Sequence, residues 1–164
     1  MGRLGPGRWT ADIEGDFVVF LIGFRLRPSP KALAAVRLLA EFPKMVADLA
    51  ADPDKGLLAH RSLGLTSVQY WRSFEHLERF ARHPDDRHAG VWREWYHRAQ
   101  HLNAAVGIWH ETYRVRAGDY EAIYQGMPAG FGLLGAGTAR PLGGSVRAAQ
   151  RMGVEESRIA APDA

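Results

Sequence analysis

His110 and Glu111 stand side by side in VGIWHETYRVR, flanked by Trp109 and, two residues on, Tyr113. Strand alternation along this run sets Val106, Ile108, His110, Thr112 and Arg114 on one face and Gly107, Trp109, Glu111, Tyr113 and Val115 on the other. A buried imidazole can serve as a base near neutral pH, and a buried carboxylate has to be paired or protonated. Two readings stay open. His110 is a catalytic base with Glu111 in support, or it is a structural histidine bonded to a neighbouring strand or helix, with Glu111 paired across a dimer to an arginine such as Arg72 or Arg61.

The second concentration of chemistry is SVQYWRSFEHLERFARHPDDRHAGVWREW, from Ser67 to Trp95. It begins with period two: Val68, Tyr70 and Arg72 on one face, Gln69, Trp71 and Ser73 on the other. After Ser73 the period is helical, with the Ser73 hydroxyl placed to cap the first free N–H groups and Leu77, Phe80 and Ala81 on one side. Pro84 ends that helix. A second helix is expected from Asp86 to His101, carrying His88, Trp92, Trp95 and Ala99 along one stripe. His88 reads as a polar group lining a cavity or as a capping or surface histidine. His97 and His101, four apart with Glu94 one turn earlier, could approach a metal, but they lie off the apolar stripe and read as a solvated face, so no metal site is expected. The tryptophans at 71, 92, 95 and 109, with Tyr70, Tyr96 and Tyr113, either line a pocket for an aromatic molecule or fill core and interface.

These groups need a scaffold. DFVVFLIGFRLR, residues 16 to 27, is nearly all apolar and reads as a strand buried on both faces, with Arg25 and Arg27 emerging at its far end. A helix is expected from Lys31 towards Ala50, kinked or split at Pro43. Leu57 to Leu63 is a short strand with His60 on the face of Leu58 and Ser62; Gly64-Leu65-Thr66 turns it back into the Ser67 strand. Tyr120 to Tyr124 is expected as a fifth short strand, and GMPAGFGLLGAG as a glycine-rich loop. Residues 1–15 read as an irregular N-terminal arm, 16–137 as one domain, and 138–164 as a flexible tail, at most transiently helical around 145–152. The order is β, α, β, β, α, β: an α+β ferredoxin-like fold with an antiparallel sheet and helices on one face. The other face is aromatic, and a second copy is expected to cover it as a homodimer.

Composition narrows the chemistry. The chain has 164 residues and a formal charge of +3, carried by 18 arginines and 3 lysines spread along its length, so a nucleic-acid partner is not expected. Cysteine is absent, which excludes disulfides, thiolate nucleophiles and Cys-type metal sites. The longest apolar run, Phe17 to Phe24, is far short of the roughly 20 residues a membrane helix needs, and no membrane partner is expected. With no signal-peptide pattern at the start, the expected compartment is the cytoplasm.

The runs VVFLIGFR and LLAHRSLG, the block YWRSFEHLERFARHP, and GIWHETY resemble the antibiotic-biosynthesis-type (ABM) monooxygenases, in a group that includes the monooxygenase-like protein of the fungal fumagillin pathway. The resemblance covers about residues 16–132 and implies a dimeric α/β barrel. That superfamily also contains isomerases, dehydratases, chlorite-dismuting haem enzymes and proteins with no known reaction. In its haem-degrading members a strand tryptophan and a histidine of the following helix line the haem pocket, and Trp71 followed by His88 is similar in order. The implied activity is a small oxygenase acting on a hydrophobic small molecule held between sheet and helices. His110 and Glu111 are then the catalytic candidates, and Arg25, Gln69, Trp71, His88 and Trp92 shape the pocket. No cofactor is expected, with haem on His88 as the alternative.

Overall fold

The structure is a computed structural model that describes residues 2, 4–29, 36, 40–82, 105–144 and 147–154. Its strands are β1 (Arg8–Asp12), β2 (Phe17–Leu26), β3 (Leu57–Leu63), β4 (Thr66–Trp71), β5 (Val106–Val115), β6 (Tyr124–Gln125) and β7 (Thr138–Pro141). The described helices are α1 (Glu41–Ala50), α2 (Phe74–Arg82) and α3 (Ala148–Arg151). The chain divides into two compact units, Phe17–Arg114 and the pair of segments Met1–Asp16 and Val115–Ala164.

The larger unit is a four-stranded sheet in the order β3-β4-β2-β5, with α1 between β2 and β3 in the chain and α2 between β4 and β5. This is the ferredoxin-like order. β4 is antiparallel to both β2 and β3, with Val18 opposite Trp71 and Ile22 opposite Ser67. On β2 the even positions face the helices: Val18 is in the core with Met45, Leu49, Trp71, Leu77 and Phe80, and Phe20 packs against it. Phe24 meets Phe42 of α1 edge to face, with ring centroids 5.7 Å apart. Both faces of β2 hold buried residues, Phe17 and Gly23 on one and Val18 and Ile22 on the other, as its apolar run implies, and the exposed Arg25 marks its far end.

α1 shows how the chain deals with Pro43. The helix starts at Glu41, so Pro43 lies in its first turn, where the missing N–H costs no intrahelical bond. The expected continuation back to Lys31 falls mostly outside the described residues. α2 starts as read: the Ser73 hydroxyl accepts from the His76 N–H at 3.4 Å and lies 2.9 Å from His76 Nδ1. Ser73 also hydrogen-bonds the exposed Glu75 carboxyl and holds it below its ordinary value. The expected stop at Pro84 and the helix from Asp86 to His101 lie outside the described residues.

β3 carries a bulge between Leu57 and Ala59, after which His60 is opposite Gln69 and Ser62 opposite Ser67. β4 ends at Trp71, so Arg72 lies past the strand, its N–H donating to the Gly56 carbonyl at 2.8 Å. Trp109 of β5 lies across Gly23: a Cβ at position 23 would sit 2.6 Å from the indole, so only glycine admits the ring there.

The smaller unit corrects two expectations. Residues 1–15 contain β1, which is the central strand of a three-stranded sheet in the order β6-β1-β7. Residues 138–164 contain β7, antiparallel to β1 with Thr10 opposite Arg140, and the short helix α3. The physical reason is partnership at long range. Arg140 makes a two-point ion pair with Asp12, Nε to Oδ2 at 2.6 Å and Nη2 to Oδ1 at 3.1 Å, which holds the Asp12 carboxyl below its ordinary value. Ala11, Ala122, Leu133 and Leu134 are buried in this unit. The strand expected over Tyr120 to Tyr124 is not formed at residues 120–123; a two-residue strand, Tyr124–Gln125, pairs with β1 instead, and the glycine-rich loop contains a single helical turn, Gly132–Gly135. Among the described residues no helix is long and apolar enough to cross a membrane.

Candidate functional site

Period-two geometry carries Ser67, Gln69 and Trp71 onto the helix-facing side of β4, and all three are buried, at 2%, 4% and 0% exposure. They form a polar row under an apolar roof. Trp71 Nε1 donates to Gln69 Oε1 at 3.0 Å, and Gln69 Nε2 lies 3.5 Å from Ser67 Oγ, the long end of a hydrogen bond. The Trp71 indole is packed against Phe80, centroids 5.5 Å apart, among Met45, Leu49 and Leu77. On the edge strand beside this row, desolvation holds His60 below its ordinary value.

The row ends at a cleft of about 150 Å³ between the start of α1 and the β3–β4 hairpin. Phe24, Phe42, Pro43 and Leu65 supply its apolar walls, and Ser62, Thr66 and Ser67 its polar groups. It lies on the helix side of the sheet, at the end where β2 finishes. A pocket between sheet and helices, near the end where Arg25 emerges, is expected from the sequence; the residues that line this cleft are not the ones expected to shape it, although carrying the alternation of Gln69 and Trp71 back one step reaches Ser67.

The other candidates are placed as follows. His110 is exposed on β5, its ring 5.7 Å from Phe20, whose side chain belongs to the helix-facing side. Glu111 points to the other face, where it accepts a hydrogen bond from the Tyr113 hydroxyl and raises the Tyr113 phenol above its ordinary value. The two are therefore not brought together, and Glu111 does not orient His110. Arg25 is exposed on that other face too, next to Gly107, one residue out of phase with Phe24. It does not converge with Gln69 and Trp71. His88 and Trp92 lie outside the described residues. Among the described residues no cluster of three His, Asp or Glu could hold a metal ion.

A haem, which the sequence resemblance allows, would stand beside Trp71. That side chain has no exposed surface and spends its N–H on Gln69, so among the described residues Trp71 offers nothing to a haem; His88, the expected ligand, lies outside them.

An antiparallel sheet of ferredoxin-like order with a cleft under its first helix defines an α+β protein of mixed α/β character. Residues 17–133 match the family described as Monooxygenase af470-like, and the chain belongs to that family. No functionally curated protein matches it. Among solved structures, an aldoxime dehydratase in complex with butyraldoxime is similar at 17% identity and a TM-score of 0.61, over 84% of this chain and 44% of that one. A second aldoxime dehydratase structure matches at 18% identity and a TM-score of 0.49, over 86% of this chain and 43% of that one. The chain thus spans less than half the length of these structures, and the likeness is one of fold.

Proposed function

We propose that the protein is a small, cofactor-independent monooxygenase-like enzyme that takes a hydrophobic small molecule into the cleft between α1 and the sheet. Membership of the monooxygenase-like family supports the reaction class. The observation that carries the reading is the cleft itself, apolar on its walls and ended by a buried polar row. The base assigned is His110, which stands on the same helix-facing side of the sheet and outside the described lining of the cleft. It removes a proton from an electron-rich substrate, and the carbanion reduces oxygen directly. The resemblance to the fumagillin-pathway group supports a substrate from secondary metabolism.

The test is oxygen consumption by the purified protein with a panel of aromatic polyketide-like compounds. Uptake is expected without a Soret band, and His110→Ala should slow it by about 10²–10⁴-fold with ligand binding retained. A Soret band that survives purification, or turnover indifferent to His110→Ala, overturns this mechanism. One observation favours a second reading, a ligand-binding module without turnover: Glu111 is turned away from His110 and engaged by Tyr113. Binding of panel compounds with no oxygen uptake would select it.

We further propose a homodimer through the sheet face that carries Tyr70, Trp109 and Tyr113. Trp109 is 40% and Tyr113 50% exposed there, which supports a covering partner. Light scattering at micromolar concentration should give twice the 18.2 kDa of the single chain; a stable monomer would sink the proposal.

A further inference from the structure

We propose that the cleft selects a neutral molecule of single-ring size bearing a hydrogen-bond acceptor, and that Ser67 donates the bond that selects it. This deepens the proposed function by naming the substrate class of the same cleft. The argument starts from Trp71, whose indole N–H can only donate. Its 3.0 Å bond to Gln69 therefore fixes which end of the amide is the oxygen. The amide nitrogen is then the end that faces Ser67, at 3.5 Å. An NH₂ group only donates, so Ser67 Oγ accepts from it and the hydroxyl proton is left to point elsewhere.

Ser67 is 2% exposed and lines the cleft, so the group that takes this proton is whatever occupies the cleft. Ser62, also on the lining, is exposed and has access to solvent. The described lining carries no charged side chain, and a charged occupant would lose its hydration there without a counter-charge. Size sets the other limit, since a cavity of about 150 Å³ admits a benzene-sized guest. A one-ring ketone, ester or aldehyde meets these conditions; a carboxylate or an amine cation does not.

The experiment compares two probes of one shape, acetophenone and α-methylstyrene, by protein-observed NMR titration of the full chain. Wild type should bind acetophenone about threefold to tenfold more tightly, the weight of one neutral hydrogen bond. Ser67→Ala should bind both probes equally. In Trp71→Phe the Gln69 amide is free to turn over and take the Ser67 proton on its oxygen, so the preference should fall while both probes still bind. Equal affinities in wild type, or a preference that survives Ser67→Ala or Trp71→Phe, overturn the inference and leave the cleft as a site. Binding of neither probe overturns the inference and the cleft's role together. Oxygen uptake plays no part in the readout, so a failure of turnover is seen separately.

Discussion

Trp71→Ala should destabilise the protein by about 3–5 kcal/mol, the usual cost of emptying a core position of an aromatic. That is a large share of the roughly 5–15 kcal/mol by which domains are stable. The site cannot refill easily, because Trp71 has no exposed surface and is enclosed by residues from α1, α2 and β2. Trp71→Phe separates packing from hydrogen bonding. It keeps most of the contact with Phe80 but leaves one end of the buried Gln69 amide without its partner, a loss of about 1–3 kcal/mol for a buried polar group left unpaired. Adding Gln69→Leu removes the orphan and should recover part of that loss. Urea unfolding midpoints read all three. A Trp71→Ala variant within about 1 kcal/mol of wild type would show that the indole is not core.

Gly137→Ala should unfold or loosen the smaller unit, with a cost of about 1–3 kcal/mol for overpacking, because the added methyl has nowhere to go. A Cβ there would fall closer to the Asp12 carbonyl oxygen than van der Waals contact allows, and this neighbour is backbone, so no rotamer change relieves the clash. β1 must move, and with it go the pairing of Asp12 with Thr138 and the ion pair of Asp12 with Arg140. Gly143→Ala is the control, since a Cβ there meets nothing within 4 Å. Amide exchange at Trp9 and Ala11 should quicken in the first variant and stay unchanged in the second. Unchanged exchange in Gly137→Ala would mean that β1 and β7 are not held this close together.

These two sites also mark what the sequence made legible and what it hid. The apolar run of β2, the alternation through Gln69 and Trp71 and the Ser73 cap are local patterns, each readable within a few residues because each rests on short-range geometry. β1 and β7 carry no such pattern. Arg8–Asp12 is flanked by glycines, and Thr138–Pro141 is too short for alternation to stand out, so their pairing depends on residues more than a hundred positions apart. The candidate site shows the same limit. Gln69 and Trp71 were readable as neighbours on one face, but that the tryptophan spends its N–H on the glutamine, leaving Ser67 with a proton, follows only from the folded contacts. Arg25 illustrates phase: one residue separates it from Phe24, and that step carries it to the other side of the sheet.

The pairing of β1 with β7 also orders events in time. Synthesis runs from the N-terminus, so residues 8–12 leave the ribosome first, while their partners at 138–141 emerge after every strand of the larger sheet has been made. β1 must therefore wait as an unpaired strand while more than a hundred residues are added. Closing so long a loop is slow, and contacts this distant in sequence are the ones that lower folding rates. The larger unit can reach its strand order without them. In the nascent chain the ion pair of Asp12 with Arg140 is consequently among the late links to form, after the larger sheet has its strands.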